Sequence, residues 1–272
     1  MLKRFLFLTI LFCWGPVCGS AAADELLRVT FLDAGYADAI LIESPGGRKI
    51  LLDGGDVEKP DLVFEFLKGQ AFDALDLVII SHPHKNHFGA LFRVLEEVRI
   101  GEIVWNGGPQ QEAPFEDLMN RIREKKIPVR VLKAGDRLNV GPLRFDVFHP
   151  GKTMEDNINA NSLVLKLIYE DVALLFTTDI TPGVQDSLIR KFGKKLAADL
   201  VQIPHHGGPL TQTFIEFFKP QFFALSTGPN EWMLPIERQV AALQAEVFRT
   251  DRHGRLIFES DGRKIWRTED PQ

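Results

Sequence analysis

The chain has almost no cysteine: Cys13 and Cys18 are the only two thiols in 272 residues. Both lie in an opening stretch that reads as an export signal. Lys3 and Arg4 form its basic region, residues 5–12 its apolar run, and Ala21, Ala22 and Ala23 the small residues before an expected cleavage after Ala23. Residues 24–272 are therefore expected to work in the periplasm or the medium, without a disulfide, a thiolate nucleophile or a cysteine-ligated metal. Such a chain must be held together by its core. Long apolar runs are missing too. The run at 5–12 falls well short of the roughly 20 residues that cross a bilayer, so no integral membrane association is expected. Dense blocks of lysine or arginine are also absent. The formal net charge is −5, and it becomes −7 once Lys3 and Arg4 leave with the signal, which disfavours long-range steering of a polyanion. A cation bound in an active site can still supply locally the positive charge that the composition lacks. No linker, low-complexity run or short-period repeat divides the chain, so residues 24–272 are expected to form one domain.

What is present is a series of short, well-spaced apolar segments. Residues 26–32, 39–42 and 49–52 read as strands, the last two joined by a turn at Ser44-Pro45-Gly46-Gly47. Residues 61–68 read as a helix and 77–80 as a buried strand. Residues 88–98 read as a helix with apolar Phe88, Leu91, Phe92, Leu95 and Val98 on one side. Strand 103–105, helix 115–125 and strand 129–132 continue the alternation. The middle differs: 137–139, 143–148, 162–169 and 172–176 are strands in close succession, with Glu170-Asp171 as a tight hairpin turn. Alternation resumes with helix 184–192, strand 200–203, helix 214–218, strand 222–225, helix 236–245 and closing strands near Val247 and Leu256. This order predicts an α/β fold in which two sheets share one core and helices lie outside.

Polar residues collect where strands stop. The apolar Leu77-Val78-Ile79-Ile80 runs into Ser81-His82-Pro83-His84-Lys85-Asn86-His87, so three imidazoles sit in a strand-to-helix turn, where side chains converge without interrupting a sheet. Leu174-Leu175-Phe176 ends in Thr177-Thr178-Asp179, and Leu200-Val201-Gln202-Ile203 ends in Pro204-His205-His206-Gly207-Gly208. Five of the seven histidines occupy two such ends. Neutral imidazole nitrogens together with an anionic oxygen from Asp179 are a donor set for divalent cations. A lone histidine at a strand end is usually a hydrogen-bonded surface residue, and that reading fits His253 in the turn Asp251-Arg252-His253-Gly254. It fits less well where His82, His84 and His87 are packed within six positions.

In their order along the chain these motifs resemble the metallo-β-lactamase superfamily, most closely the hydrolase domain attached to the ComEC/Rec2 DNA-uptake channel. Phe31-Leu32-Asp33-Ala34-Gly35 followed by Asp38-Ala39-Ile40-Leu41-Ile42 looks like its opening strand and loop, and Leu51-Leu52-Asp53-Gly54-Gly55 like the turn that follows. The segment from Ser81 to His87 matches the histidine-rich signature. Asn161-Ser162-Leu163-Val164-Leu165, Thr178-Asp179, Pro204-His205-His206-Gly207 and Phe248-Arg249-Thr250-Asp251 match later motifs. The resemblance implies a four-layer αββα metallo-β-lactamase sandwich. It also implies one cation on His82, His84 and Asp179, and a second on the residue at position 86, His87, Asp179 and His205. The departures concern the site. Position 86 is normally aspartate and here is Asn86, a neutral amide that cannot act as a carboxylate ligand or base. The third histidine of the first site has no clean counterpart; residues 156–161 offer asparagines and an aspartate, and His149 is one substitute. Tyr36-Ala37, Gly208 and Leu234 stand where the relatives carry glutamine-glycine, serine and histidine.

These features together imply a divalent-metal hydrolase, with Zn or Mn and one or two ions, acting on a small-molecule or DNA phosphodiester. His84, Asn86, Asp179 and His206 are its catalytic candidates, and Asp33 or Asp38 a remote proton acceptor. Asn86 points to a weakened second metal site and slow or single-ion hydrolysis. The competing reading is a non-catalytic extracytoplasmic binding or scaffold protein on a degenerate hydrolase fold. Nothing in the sequence sets an oligomeric state.

Overall fold

The computed structural model describes residues 25–70, 73–109, 112–228 and 233–270; the expected export signal at 1–23 and the side chain of Leu234 lie outside this description. Three strands, β1 (Leu27–Phe31), β2 (Ile40–Glu43) and β3 (Lys49–Leu52), pair antiparallel in sequence. The next three, β4 (Ala74–Ile80), β5 (Arg99–Trp105) and β6 (Val129–Val131), add on in parallel. A parallel neighbour needs a crossover, which is supplied in turn by α1 (Pro60–Gly69), α2 (Leu91–Glu97) and α3 (Ala113–Glu124).

The chain then repeats the scheme in a second sheet. The strands β7 (Arg137–Val140), β8 (Leu143–His149), β9 (Val164–Tyr169) and β10 (Val172–Phe176) form an antiparallel meander. Parallel β11 (Leu200–Gln202), β12 (Phe222–Leu225) and β13 (Glu246–Arg249) follow, connected through α4 (Pro182–Phe192), α5 (Gln212–Phe217) and α6 (Met233–Ala242). A short helix, α7 (Thr250–His253), leads back to the first sheet, where β14 (Leu256–Ser260) pairs with β1 and β15 (Ile265–Thr268) forms the edge. The sheets thus run β15-β14-β1-β2-β3-β4-β5-β6 and β13-β12-β11-β10-β9-β8-β7.

Alternation along the strands sorts side chains into layers. Leu77 and Ile79 of β4 face the second sheet in a shared core with Phe31, Phe145, Leu165 and Phe176, whereas Val78 and Ile80 face α1, α2 and α3. On the second sheet Leu174 and Leu200 face inward, and Leu175 and Val201 face α4 and α5. Both faces of the central strands are buried, which explains their continuous apolar runs. Three apolar interfaces separate four layers, so the architecture is the expected αββα sandwich. Among the described residues no helix is long and apolar enough to cross a membrane.

Local departures from the sequence reading have identifiable causes. The helix expected over 88–98 begins only at Leu91, because Gly89 N and Ala90 N donate instead to the carbonyls of Gly55 and Gly54. The strand expected from Ser162 begins at Val164, since Leu163 N crosses to Ser81 O and ties the two sheets together at 3.1 Å. Strand β4 starts three residues earlier than its apolar run, and β15 is an additional edge strand whose mixed sequence Ile265-Trp266-Arg267-Thr268 gives no strong alternation.

Candidate metal centre

Parallel pairing is what gathers the site. Because β3 runs parallel to β4 in one sheet, and β10, β11 and β12 run parallel to one another in the other, their C-terminal ends share one edge of the sandwich. Asp53 follows β3, Ser81 and His82 follow β4, Thr177 to Asp179 follow β10, His205 and His206 follow β11, and Ser226 follows β12. Four of the residues here hold left-handed backbone without being glycine: Asp53 (φ 60), Thr178 (φ 46), His205 (φ 54) and His206 (φ 52). Such conformations cost about 1–3 kcal/mol each and cluster where function dictates geometry. The β-branched Thr178 is held by Oγ1 donating to Leu163 O at 2.8 Å and by its own N–H donating to Gln202 Oε1 at 3.0 Å. That clamp fixes the next residue, Asp179.

Hydrogen bonds set which nitrogen each imidazole presents. Buried Asp53 accepts from Ser81 N and Ser81 Oγ, both at 2.7 Å, and its Oδ2 lies 2.8 Å from His87 Nδ1. The Ser81 hydroxyl hydrogen is committed to Asp53, so Ser81 Oγ accepts from His82 Nδ1 at 2.9 Å. Both rings therefore turn Nε2 toward Asp179 Oδ2, at 3.2 Å for His87 and 3.6 Å for His82. His206 is set from the opposite sheet: its Nδ1 lies 3.2 Å from the Ser226 carbonyl, to which it donates, and its Nε2 lies 3.5 Å from Asp179 Oδ1. An acceptor behind each ring, here a carboxylate for His87, a hydroxyl for His82 and a carbonyl for His206, is the usual way a ligating histidine is oriented.

Charge is arranged around Asp179. Burial pushes His82 well below the ordinary histidine range, and burial also lowers His84 and His205; these rings are neutral and offer lone pairs at physiological pH. Burial opposes a charge on His87 as well, but Asp179 and Asp53 on its two nitrogens overcome that and hold it well above the ordinary range. Burial likewise disfavours a charged Asp179. The neighbouring His206, and His87, which also hydrogen-bonds to it, reverse the effect and keep its carboxyl well below the usual carboxylate range.

Two donor groups share Asp179: His82, His84 and Asp179, and Asp38, His87, Asp179 and His206, with ligand atoms in each group within 4.8 Å of one another. The structure thus brings together His82, His84, His87, Asp179 and His206 of the residues singled out in the sequence. His205 stands beside both groups rather than within them, its Nε2 3.9 Å from Asp179 Oδ2 and 3.1 Å from Asn159 Nδ2. Asn86 uses its Nδ2 to donate to His206 Nε2 at 2.8 Å and to Tyr36 O at 3.3 Å. His149 is in neither group; its Nε2 lies 2.7 Å from the carbonyl of Ala160, to which it donates. His253 caps the start of α7, where its Nδ1 accepts from Arg249 N at 3.0 Å. Asp38, considered from the sequence only as a remote proton acceptor, is a direct member of the second group. Nothing in its apolar surroundings, Ala37-Asp38-Ala39, signals that role beyond the burial of a carboxylate between strands.

The arrangement fits a divalent cation. Asp179 Oδ1 is buried and has no hydrogen-bond partner, and it faces an imidazole nitrogen whose hydrogen is on the other side of the ring. A buried carboxylate oxygen with no donor of its own is unfavourable until something positive lies beside it. Neutral imidazoles with carboxylates are the donors that first-row divalent ions take.

Residues 32–182 match the family profile described as the metallo-beta-lactamase superfamily. Among curated proteins the chain is similar to ComE operon protein 3 of Bacillus subtilis (strain 168), at 24% identity over 259 residues, covering 87% of this chain and 33% of that protein. It is also similar to competence protein ComA of Neisseria gonorrhoeae, at 25% identity over 245 residues, covering 88% of this chain and 33% of the relative. The chain therefore spans about a third of the length of these relatives. Among solved structures the fold matches the metallo-beta-lactamase fold protein YhfI from Bacillus subtilis with a TM-score of 0.60 at 14% identity, covering 86% of this chain and 99% of that one.

Proposed function

The chain belongs to the metallo-beta-lactamase superfamily, and from that premise we propose that it is a metal-dependent hydrolase of phosphodiesters such as DNA, holding one or two Zn or Mn ions. The observation that carries this reading is the buried convergence on Asp179 of His82 and His84 from one direction and of Asp38, His87 and His206 from another. When bound, a divalent cation there supplies Lewis acidity and hydroxide near neutral pH. The remaining roles fall to side chains. His82 and His84 stay neutral and keep their lone pairs available. Asn86 orients by hydrogen bonding but has no carboxylate to take a proton from an attacking water. His205 has a side chain 35% exposed, against 0% for His206, so it is the one of the pair placed to meet a leaving group. The Tyr36 phenol is raised by burial and by the charge of Asp179, so it remains protonated and able to donate to a substrate oxygen.

The phosphodiester part of the proposal is supported by likeness to a relative named as a competence protein; small nucleotides are the small-molecule members of the same class. Export to the periplasm or medium belongs to the proposal too, and rests on the sequence of residues 1–23. The test uses purified protein loaded with Mn or Zn and offered single-stranded DNA or bis(p-nitrophenyl) phosphate. Cleavage that His82→Ala abolishes supports the hydrolase, and intact substrates under both metals refute it. One observation favours a second reading, a non-catalytic binding or scaffold protein: Asn86 donates to the His206 nitrogen where the superfamily normally has a carboxylate.

A further inference from the structure

The turn Asn159–Asn161, between β8 and β9, is built around asparagine side chains. Asn161 Nδ2 donates to the carbonyls of Glu155 at 2.7 Å and Asn157 at 3.1 Å, and its Oδ1 accepts from Glu155 N at 2.8 Å. Asn157 Oδ1 accepts from Asn159 N at 3.0 Å, and Asn106 Nδ2 donates to Asn161 O at 2.9 Å. His149 completes the frame through the Ala160 carbonyl. So much bracing holds one side chain in place. Asn159 donates from Nδ2 to His205 Nε2 at 3.1 Å. Its Oδ1, however, is buried without a partner.

A buried amide oxygen left unpaired costs about 1–3 kcal/mol, and here it lies beside a donor group that has only three members, His82, His84 and Asp179. No third imidazole belongs to that group: His205 stands beside it, 3.9 Å from Asp179 Oδ2 and taken up by the Asn159 amide nitrogen, and His149 is spent on the turn. We propose that Asn159 is the missing donor: its neutral amide oxygen completes the first cation site together with His82, His84 and Asp179. The inference rests on reading that group as a cation site, and it adds a preference. Exchanging an imidazole nitrogen for an amide oxygen moves the donor set toward the harder oxygen ligands that suit Mn, and away from the nitrogen-rich set that suits Zn.

The test is calorimetric titration of the chelator-stripped chain with manganese chloride and with zinc chloride, alongside thermal melts of the metal-free protein. Asn159→Ala is expected to weaken manganese binding about 10- to 100-fold, the range typical for losing a group that holds or orients a bound metal, with little change in the metal-free melting temperature. Asn159→His is expected to shift the preference toward zinc. Should Asn159→Ala disturb folding, Asn159→Asp keeps the shape and adds charge, and is expected to bind manganese more tightly than the wild type. Wild-type affinity in these variants overturns this inference alone. A wild-type chain that takes up neither ion overturns the metal reading and this inference together.

Discussion

His87 Nδ1 lies 2.8 Å from Asp53 Oδ2, with both side chains fully buried. One carboxylate thereby orients two imidazoles, His87 directly and His82 through the Ser81 hydroxyl. Asp53→Asn keeps the volume but turns an acceptor into a half-donor and removes the charge. We expect divalent-ion affinity to fall about 10- to 100-fold and stability to fall by about 1–3 kcal/mol. Titration calorimetry and thermal melts check both, and unchanged ion affinity would remove Asp53 from the site.

Asn86 occupies the ground between the two sheets that a carboxylate normally holds. In Asn86→Asp the new oxygen faces His206 Nε2 in place of the present N–H donor at 2.8 Å. The metal-free protein is expected to lose about 1–2 kcal/mol from two acceptors in contact, while the second donor group gains an anionic ligand. Ion stoichiometry measured by elemental analysis is expected to rise toward two, and hydrolysis to quicken. If the wild type already holds two tight ions and turns over rapidly, Asn86 is not the weakness described here.

Gly89 is fixed by crowding rather than by conformation. A Cβ there would lie 2.1 Å from the backbone of Asp56, which has no flexible end to move aside. Since Gly89 N bonds to Gly55 O and Gly54 N bonds to His87 O, any displacement passes directly to the metal centre. Gly89→Ala is expected to cost about 3 kcal/mol, the upper end for overpacking, and to weaken ion binding. A variant with the wild-type melting temperature would show that the Asp56 loop yields freely.

The layering of this protein was legible in its sequence because strand and helix periods differ, and because polar residues interrupt at strand ends. Leu77 to Ile80 running into Ser81 announces both a buried strand and the edge where chemistry gathers. What stayed hidden was set by contacts remote in sequence. Asp38, in the loop before β2, meets His206 only because β2 and β11 belong to facing sheets, and Gln202 Nε2 reaches both Asp38 oxygens at 3.0 Å. Likewise nothing local in Asn157-Ile158-Asn159-Ala160-Asn161 distinguishes the asparagine that reaches the site from those that brace the turn.

Acid stability carries a signature of the sheet edge. Burial disfavours a charge on Glu259, but Arg28, bound through two nitrogens at 2.9 and 2.7 Å, and Thr268 at 2.9 Å outweigh it and lower its pKa below the ordinary value of 4.5. A carboxyl with a depressed folded-state pKa stabilises above its unfolded pKa, and that contribution disappears as pH falls through the folded value. Because Arg28 is partly exposed, the contribution is about 1 kcal/mol. Thermal melts between pH 7 and pH 3 are expected to show Glu259→Gln less stable than wild type at neutral pH, with the two converging in acid. Parallel curves across that range would deny Glu259 its role.

The two consecutive histidines offer the sharpest separation between chain pattern and geometry. By resemblance His205 is the ligand; by position it is His206 that joins the donor group, since its tautomer is fixed by Ser226 O and its Nε2 faces the unpaired Asp179 Oδ1. Both residues hold left-handed backbone, so a single reversal of that turn exchanges their directions, and no periodicity could have told which ring points inward. The half-buried ring of His205 instead accepts from Asn159 at the site's open side. His206→Ala should therefore reduce ion affinity about 10-fold or more and destabilise the fold, because it leaves Asn86 and the Ser226 carbonyl without their shared partner. His205→Ala should retain ion binding within a few-fold and lower turnover. Calorimetry on both variants, with kcat measured separately, distinguishes the assignments. The reverse ordering of affinities would return the ligand role to His205 and make His206 a structural bridge between Asn86 and β12.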